Sequence, residues 1–541
     1  MHQSVGQMPV AAGFFTSCEA SFRLDRSAPV LQRGGLNKSL CMLAQRSPRQ
    51  RLTALVLALT LVHLCLGFAL GLSGDEAHYA LYAAHLDWSY YDHPPLVGWV
   101  QWPLVALGAP DGVLRCLPNL VWAFTAFLIF DITRHLALKQ LQAVGRAESA
   151  GLWAVLAFAV APVLHILGIG LLPDTLLMLW TALVMRHTLR MQADIAACNT
   201  PAWLKLGLWL GLAGLSKYTA VFLALPVLMV LVRAHGWRVL AQPAPWLAAG
   251  LAGLIISPVL WWNATHDWLS FRYQLHHGSG STWQAGHVLS YVLGQGVLNL
   301  GLVWGAVACW RARDTLGAYQ AWWAFFAWPF LVLAYMAGGG TGLPHWTAPA
   351  WVALSPLAGA GLQSLWQAGR RRTTQLLLGV QALISTTIFG LMLTAGPTWL
   401  SSDGSQPEDI NPFTDFYGWQ AAATQAQQLA KAQGIEHLAV QNWTLASRLA
   451  WYAKPLKVHV LDQDFDQFSL WSGEMPKGAR ALLMDWSQMA YQLPVGPGQF
   501  EDCHLLSTQA VHRAGRQVAQ FTWHVCEGWG GKPMPARREH D

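Results

Sequence analysis

The side chains able to do chemistry in this chain are few, and they sit in short stretches between apolar runs. The first stretch, Gly74 to Pro95, reads GDEAHYALYAAHLDWSYYDHPP and follows directly on the apolar run Thr53 to Leu72. Asp75 and Glu76 therefore stand where a membrane span ends. A carboxylate there suits a general base that takes a proton from a hydroxyl within hydrogen-bond reach. The plainer reading is a helix over Glu76 to Leu86, with Asp75 as its cap and Glu76 in its first turn. Asp92 and His93 precede Pro94-Pro95, and a double proline holds the preceding backbone extended. Asp92 could orient a substrate or bind a metal, and His93 could pair with a phosphate; the alternative is a turn with an exposed Asp. Tyr79, Tyr82, Trp88, Tyr90 and Tyr91 are amphipathic rings of the kind that favour a membrane interface. Of these, Tyr91 is counted as a substrate-binding candidate.

Further along, Asp174 is a lone acid in the short break LLPDTLL, where an acid is expensive and tends to be functional; it could also cap the following helix. Lys217, in GLSKYTA, is suited to a phosphate, or to snorkelling toward the interface. Arg272 could join the same anion site, and His276 and His277 are weak metal-ligand candidates because no ligand spacing accompanies them. His345, in LPHWTAP, is a substrate-binding candidate or a structural hydrogen-bonding His. A divalent metal held by Asp92 with His276 or His277 is the one cofactor these residues suggest. Walker and dinucleotide fingerprints are absent from the sequence, and no nucleic-acid partner is expected.

The elements that must position these side chains are membrane helices. Hydrophobic residues make up 54% and charged residues 11%, far from the roughly 25% charged of a soluble domain. Thirty tryptophans agree with an interface-rich membrane protein. Apolar runs of membrane-spanning length predict about eleven to thirteen helices, with Leu96 to Leu107 as a re-entrant or interfacial piece. Lys and Arg alternate between the connecting segments. Arg134, Lys139, Arg186, Arg233, Arg238 and Arg370 to Arg372 fall on one side, while Lys217 and Arg272 alone fall on the other. The positive-inside rule then places residues 1–50 in the cytoplasm as a basic tail, within which Met42 could be the start. It places the first loop, 73–112, outside, together with the segments around Asp174, Lys217, Arg272 and His345.

The transmembrane part is expected over 51–396, and a small external α/β domain over 397–541. A helix from Gly418 to Gln433 ends at Gly434. Short strands are expected at Leu438–Gln441, Val458–Leu461, Ala481–Met484, His504–Thr508 and Gln520–Val525. Only Cys503 and Cys526 lie in that domain. On neighbouring strands in an oxidising compartment they could form a disulfide, or remain two buried thiols.

GDEAHYALYAAHLDWSYYDHPPLVGW, LLPDTLLMLW, GLSKYTAVFLALP and PHWTAPAW together resemble bacterial members of the protein O-mannosyltransferase superfamily, of the dolichyl-phosphate-mannose-protein mannosyltransferase and aminoarabinose transferase kind. The resemblance runs in order from Thr53 to Leu365, and DFYGWQAAA, ASRLAWYA and DQFSLWSG resemble the extra domain of one bacterial branch. It implies a GT-C fold and inverting transfer from a polyprenyl-phosphate sugar, without a nucleotide, at the outer face of the inner membrane. Asp75 matches the general base, Asp174 a second acidic position toward the acceptor, and Lys217 a basic position near the lipid phosphate. Where aminoarabinose transferases carry EKPP, this chain has Asp92-His93-Pro94-Pro95, so the phosphate contact of His93 would depend on pH. The expected partners are the lipid-linked donor, membrane lipids and an envelope lipid or glycan acceptor, with protein as the alternative acceptor. A transporter of lipid-linked sugar is the other class considered. The acids cluster at one face and no inverted repeat is visible, which favours an enzyme.

Overall fold

The computed structural model describes residues 47–279, 282–312, 320–397 and 411–535. The expected basic tail lies outside the described residues except for its last residues, where Ser47 and Gln50 exchange hydrogen bonds at the start of a helix, Pro48–Ala69. Most of the polar linker expected at Ser401 to Pro412 also lies outside them.

Six helices among the described residues are long and apolar enough to cross a membrane, or up to eight if each of two bent pairs is one crossing. Pro173–Ala193, Thr200–Ser216 and Ala348–Gln367 are also close to spanning length and pack in the same bundle, but Asp174, Arg186 and Arg190 lower the apolarity of the first. This is a multi-pass membrane protein. Its outer surface keeps residues such as Leu57, Phe68, Leu254 and Leu293 exposed, as lipid-facing side chains are. Inside, helices approach through small residues. A side chain at Gly207 would strike the backbone of Ala248 on the next helix, and one at Gly361 the backbone of Gly305. The Leu96–Ala106 helix is too short to cross and lies against Gly74–Ala84.

The C-terminal part is a five-stranded sheet. Its strands are β1 (His437–Val440), β2 (Lys457–Val460), β3 (Ala481–Trp486), β4 (Asp502–Arg513) and β5 (Arg516–Glu527). The order is β2-β1-β3-β5-β4, with β2, β1 and β3 parallel and the rest antiparallel. Helix Trp419–Gln433 lays Ala422, Ala423, Ala426 and Ala430 on a core with Leu438, Leu482 and Phe521. Small side chains on that stripe let the helix lie close to the sheet. Gly418 and Gly434, at φ +86° and +63°, bound the helix in left-handed geometry that favours glycine. Cys503 and Cys526 are direct cross-strand partners on β4 and β5 and are joined as a disulfide.

This part is not an appendage. Leu81, from the Gly74–Ala84 helix of the first loop, lies within its hydrophobic core. Gly71 N donates to Phe416 O at 3.3 Å, Leu72 N to Tyr452 Oη at 2.9 Å, and Tyr452 Oη to Asp111 Oδ2 at 2.5 Å. The first loop is thus held between the bundle and the sheet.

Candidate active site

The helix carrying Asp75 and Glu76 runs Gly74–Ala84, and its cap is Ser73. Ser73 Oγ accepts from Glu76 N at 3.3 Å, and Glu76 Oε2 accepts from Ser73 N at 3.0 Å, a capping box. Asp75 is therefore released from the capping role that its position suggested. Glu76 is not a free acid. Arg115 Nε and Nη2 donate to its two oxygens, each at 2.7 Å. The rest of the Arg115 guanidinium donates to Gly67 O, Leu70 O and Gly71 O, the orphan carbonyls at the end of the Pro48–Ala69 helix. Burial by itself would raise the Glu76 pKa, but Arg115 and Ser73 more than offset it and hold the carboxyl below its ordinary value. Glu76 thus welds the loop helix to the first span, whereas the sequence reading had placed it among the catalytic acids.

Asp75 lines a cavity of about 260 Å³ together with His345. The lining also includes Ser73 and the Glu76–Arg115 pair; the rest is apolar, with Val163, Ile166, Leu167 and Ile169 from one helix, and Met392 and Phe416. His345 also meets a buried ion pair that is not part of that lining. Lys217 Nζ lies 2.6 Å from Asp174 Oδ2, and His345 Nε2 lies 3.8 Å from the same oxygen. Asp174 sits in the first turn of Pro173–Ala193, where the helix dipole favours a negative charge. Lys217 ends Thr200–Ser216. The structure thus pairs directly two residues that the sequence assigned to opposite substrates. Asp174 Oδ1 has no hydrogen-bond partner among the described residues. Burial lowers the His345 pKa, Asp174 and Asp75 pull it up, Lys217 and His93 push it down, and the net shift is downward. His345 is accordingly neutral near pH 7, and four candidate residues from three loops act on its imidazole.

Asp92 anchors a second network. Its carboxylate accepts from Tyr82 Oη, lies 3.0 Å from His93 Nδ1 and 3.6 Å from His78 Nε2. Burial would raise the Asp92 pKa; His93 and His78 outweigh it and hold the carboxyl well below its usual range. Gln274 Nε2 donates to Asp92 O at 2.7 Å and Ser270 Oγ to Tyr90 O at 2.8 Å, so the Leu269–Ser279 helix braces this loop. His78 reaches the C-terminal part through Ser447 Oγ at 3.0 Å.

Arg272 is exposed on the Leu269–Ser279 helix, and nothing places its guanidinium on the Lys217 pair. The side chains of His276 and His277 lie outside the described residues. Among the described residues no three His, Cys, Asp or Glu side chains are grouped as metal ligands. Tyr91 packs against Tyr273 and Phe465.

Two arginines escaped the sequence reading. Arg115 looked like the opening of a span. Arg448, from the Trp443–Tyr452 helix, is buried, paired with Asp415, and set 4.2 Å over Trp419 and 4.9 Å over Trp486. Its guanidinium adjoins Gly74, whose N–H donates to Asp415 Oδ2 at 3.2 Å. Burial lowers the Arg448 pKa to about 9, and the charge of Asp75 acts against that. Isolated charges inside apolar segments were the available signal for both.

A family model described as dolichyl-phosphate-mannose-protein mannosyltransferase matches residues 92–262. The structure of ArnT from Cupriavidus metallidurans bound to undecaprenyl phosphate superposes with a TM-score of 0.55 at 16% identity, covering 87% of this chain and 97% of that one. The chain has the GT-C fold. ArnT in the apo state superposes on the same GT-C architecture with a TM-score of 0.53 at 17% identity over 88% of this chain and 98% of that one. Lipid A galacturonosyltransferase RgtD of Rhizobium johnstonii is 24% identical over 205 residues, 37% of this chain. The match spans 40% of that relative's length.

Proposed function

We propose that this GT-C protein is a membrane glycosyltransferase. It moves a sugar, with inversion, from a polyprenyl phosphate to a hydroxyl of an envelope lipid or glycan, at the periplasmic face of the inner membrane. The observation that carries this reading is the cavity. A carboxylate not used for capping, Asp75, lines it with His345, whose Nε2 lies 3.8 Å from Asp174 of the Asp174–Lys217 pair, and the wall from Val163 to Ile169 is apolar enough for a lipid-borne substrate. The structures aligned over nearly their whole length are of ArnT, one of them with undecaprenyl phosphate bound.

In this mechanism Asp75 takes the proton of the acceptor hydroxyl as its oxygen bonds to the anomeric carbon. The bond from that carbon to the phosphate oxygen breaks with its electron pair, and the polyprenyl phosphate leaves. Lys217 has donors beyond the one given to Asp174 and stabilises the departing phosphate, while Asp174 holds its ammonium in place. His93 is held through Nδ1 by Asp92, which leaves its other nitrogen to meet the phosphate. Glu76 positions Asp75 and does not itself react. The acceptor is assigned to the lipid or glycan class because the apolar part of the cavity lining favours a lipid-anchored molecule; a protein acceptor is the alternative that the family description brings.

The test uses a deletion strain complemented with the wild type or Asp75→Asn. Mass spectrometry of its lipids, glycans and envelope proteins should find one sugar missing in the deletion and restored by the wild type alone. Asp75→Asn should reduce transfer at least about 100-fold, the scale of general-base catalysis, at normal membrane levels of protein. Near-normal transfer by that variant sinks Asp75 as base.

A further inference from the structure

Three aromatic rings from three separate elements meet. Tyr91 comes from the first loop, Tyr273 from the Leu269–Ser279 helix, and Phe465 from the segment after β2. Ring centroids lie 4.6 Å apart for Tyr91–Tyr273 and 5.3 Å for Tyr91–Phe465. Phe465 is 43% exposed and Tyr91 is half-buried. The mounting is rigid. Tyr91 N donates to Gln467 Oε1 at 2.7 Å, and the carbonyls on either side, of Tyr90 and Asp92, are taken by Ser270 and Gln274. An aromatic face fixed this firmly costs little to organise for a ligand.

Carboxylates surround the rings. Asp466, Asp92 and Asp464 all act on the Tyr91 phenol, with Asp466 the strongest of the three. Asp464 is exposed. Asp466 is only 8% exposed; its Oδ1 caps Ser469 N at 3.0 Å, and its Oδ2 has no hydrogen-bond partner among the described residues. A buried acceptor left unmade is costly, and a donor from a ligand removes that cost. The patch is ill suited to a membrane surface, since Val458 to Met475 contains no Lys or Arg to meet lipid phosphate. Flat apolar rings edged by acceptor-only groups fit a sugar ring: its C–H face lies on the aromatics and its hydroxyl or ammonium donors reach the carboxylates.

We propose that Tyr91, Tyr273 and Phe465, with Asp464 and Asp466, form a carbohydrate subsite for a neutral or amino-bearing sugar of the acceptor, and that it excludes anionic sugars. The sugar's place in the acceptor rests on the glycosyl-transfer reading; binding at these rings does not. Asp92 links the two, because the residue that flanks Tyr91 also pairs with His93 Nδ1 at 3.0 Å.

Saturation-transfer NMR on the purified full chain in nanodiscs tests this, with an unacetylated glucosamine dimer and with digalacturonate as probes. The glucosamine dimer should bind the wild type, and Phe465→Ala and Asp464→Asn should each weaken it about fivefold, the scale of one stacking or charge-assisted contact. Phe465→Trp should restore binding, and digalacturonate should give no signal. Both altered positions are exposed, so thermal unfolding should be unchanged. Absent binding by the wild type, equal binding by Phe465→Ala and Asp464→Asn, or equal binding of digalacturonate overturns the subsite. Asp75→Asn should keep the NMR signal while losing transfer. Failure of the transfer reading would leave that signal intact, so the two can be told apart.

Discussion

Glu76–Arg115 and Asp174–Lys217 are both buried carboxylate–cation pairs at the same end of the bundle, yet they are built differently. Arg115 is saturated: Glu76 and three helix-end carbonyls take its donors, and Ser73 takes up Glu76 as well. Asp174 keeps an oxygen without a partner among the described residues, and the hydrogen bond described for Lys217 Nζ is the single one to Asp174. A closed pair ties elements together. An open pair keeps hydrogen-bonding capacity for something that arrives. Both have the short distances of a strong ion pair, so geometry within the pair does not separate them; the completeness of the surroundings does.

Arg115→Met is the strongest way to break this contrast. It strands a buried Glu76 and frees three carbonyls, so stability should fall by about 3–5 kcal/mol, read as lost folded yield and a lower unfolding midpoint in detergent. Glu76→Leu combined with Arg115→Met should recover part of the loss. If Arg115→Met unfolds no more easily than the wild type, the closed pair is not a weld.

Lys217→Ala should do the reverse. Its stability loss should be at least about 2 kcal/mol smaller than that of Arg115→Met, because Asp174 lies in the first turn of Pro173–Ala193, whose dipole favours its charge, and no helix-end carbonyls lose a donor. Its kcat/KM for the polyprenyl-phosphate donor should fall about 100-fold, with a smaller change for the acceptor. Equal losses for both substrates would make Lys217 structural.

Arg448→Met sharpens the comparison from the C-terminal side. It removes the cation behind Gly74 and Asp75 while filling the space between Trp419 and Trp486. We expect kcat to fall about tenfold with KM little changed, the pattern of a positioning charge, and Arg448→Lys to recover part of it. A change in KM alone would assign Arg448 to substrate binding instead.

The smallest effect concerns pH. Burial, followed by the nearby charge of Asp466, pushes Asp462 up to about 7, and burial pushes Asp466 up to about 6. A carboxyl with a raised pKa in the fold favours the protonated state there. The contribution of these two carboxyls to stability is therefore fully present below the ordinary value of 3.8 and is lost as pH rises through about 7. Urea midpoints of the full chain should be higher at pH 5 than at pH 7.5, and Asp462→Asn should flatten that difference. An unchanged slope in the variant would remove Asp462 from the account.

The sequence by itself determined the local elements and the list of reactive side chains. Apolar length marked the helices, and the alternation of Lys and Arg grouped the segments of Asp75, Asp174, Lys217 and His345, which the fold gathers around one site. Short apolar runs between polar pieces marked all five strands, because strand-forming runs are properties of neighbouring positions, though β4 runs five residues past the end expected for it. That Cys503 and Cys526 face each other was decided by the pairing of β4 with β5. Tertiary structure decided what each side chain touches. Ser73, not Asp75, caps the loop helix; Arg115 claims Glu76 from 39 residues away; Lys217 reaches Asp174 across 43; and Asp415 reaches Gly74 across 341. No local period encodes such contacts. They follow from which helices pack together and from the cost of leaving a charge buried without a partner, so the division between acids that bind the fold together and acids left for chemistry appeared only once the chain had folded.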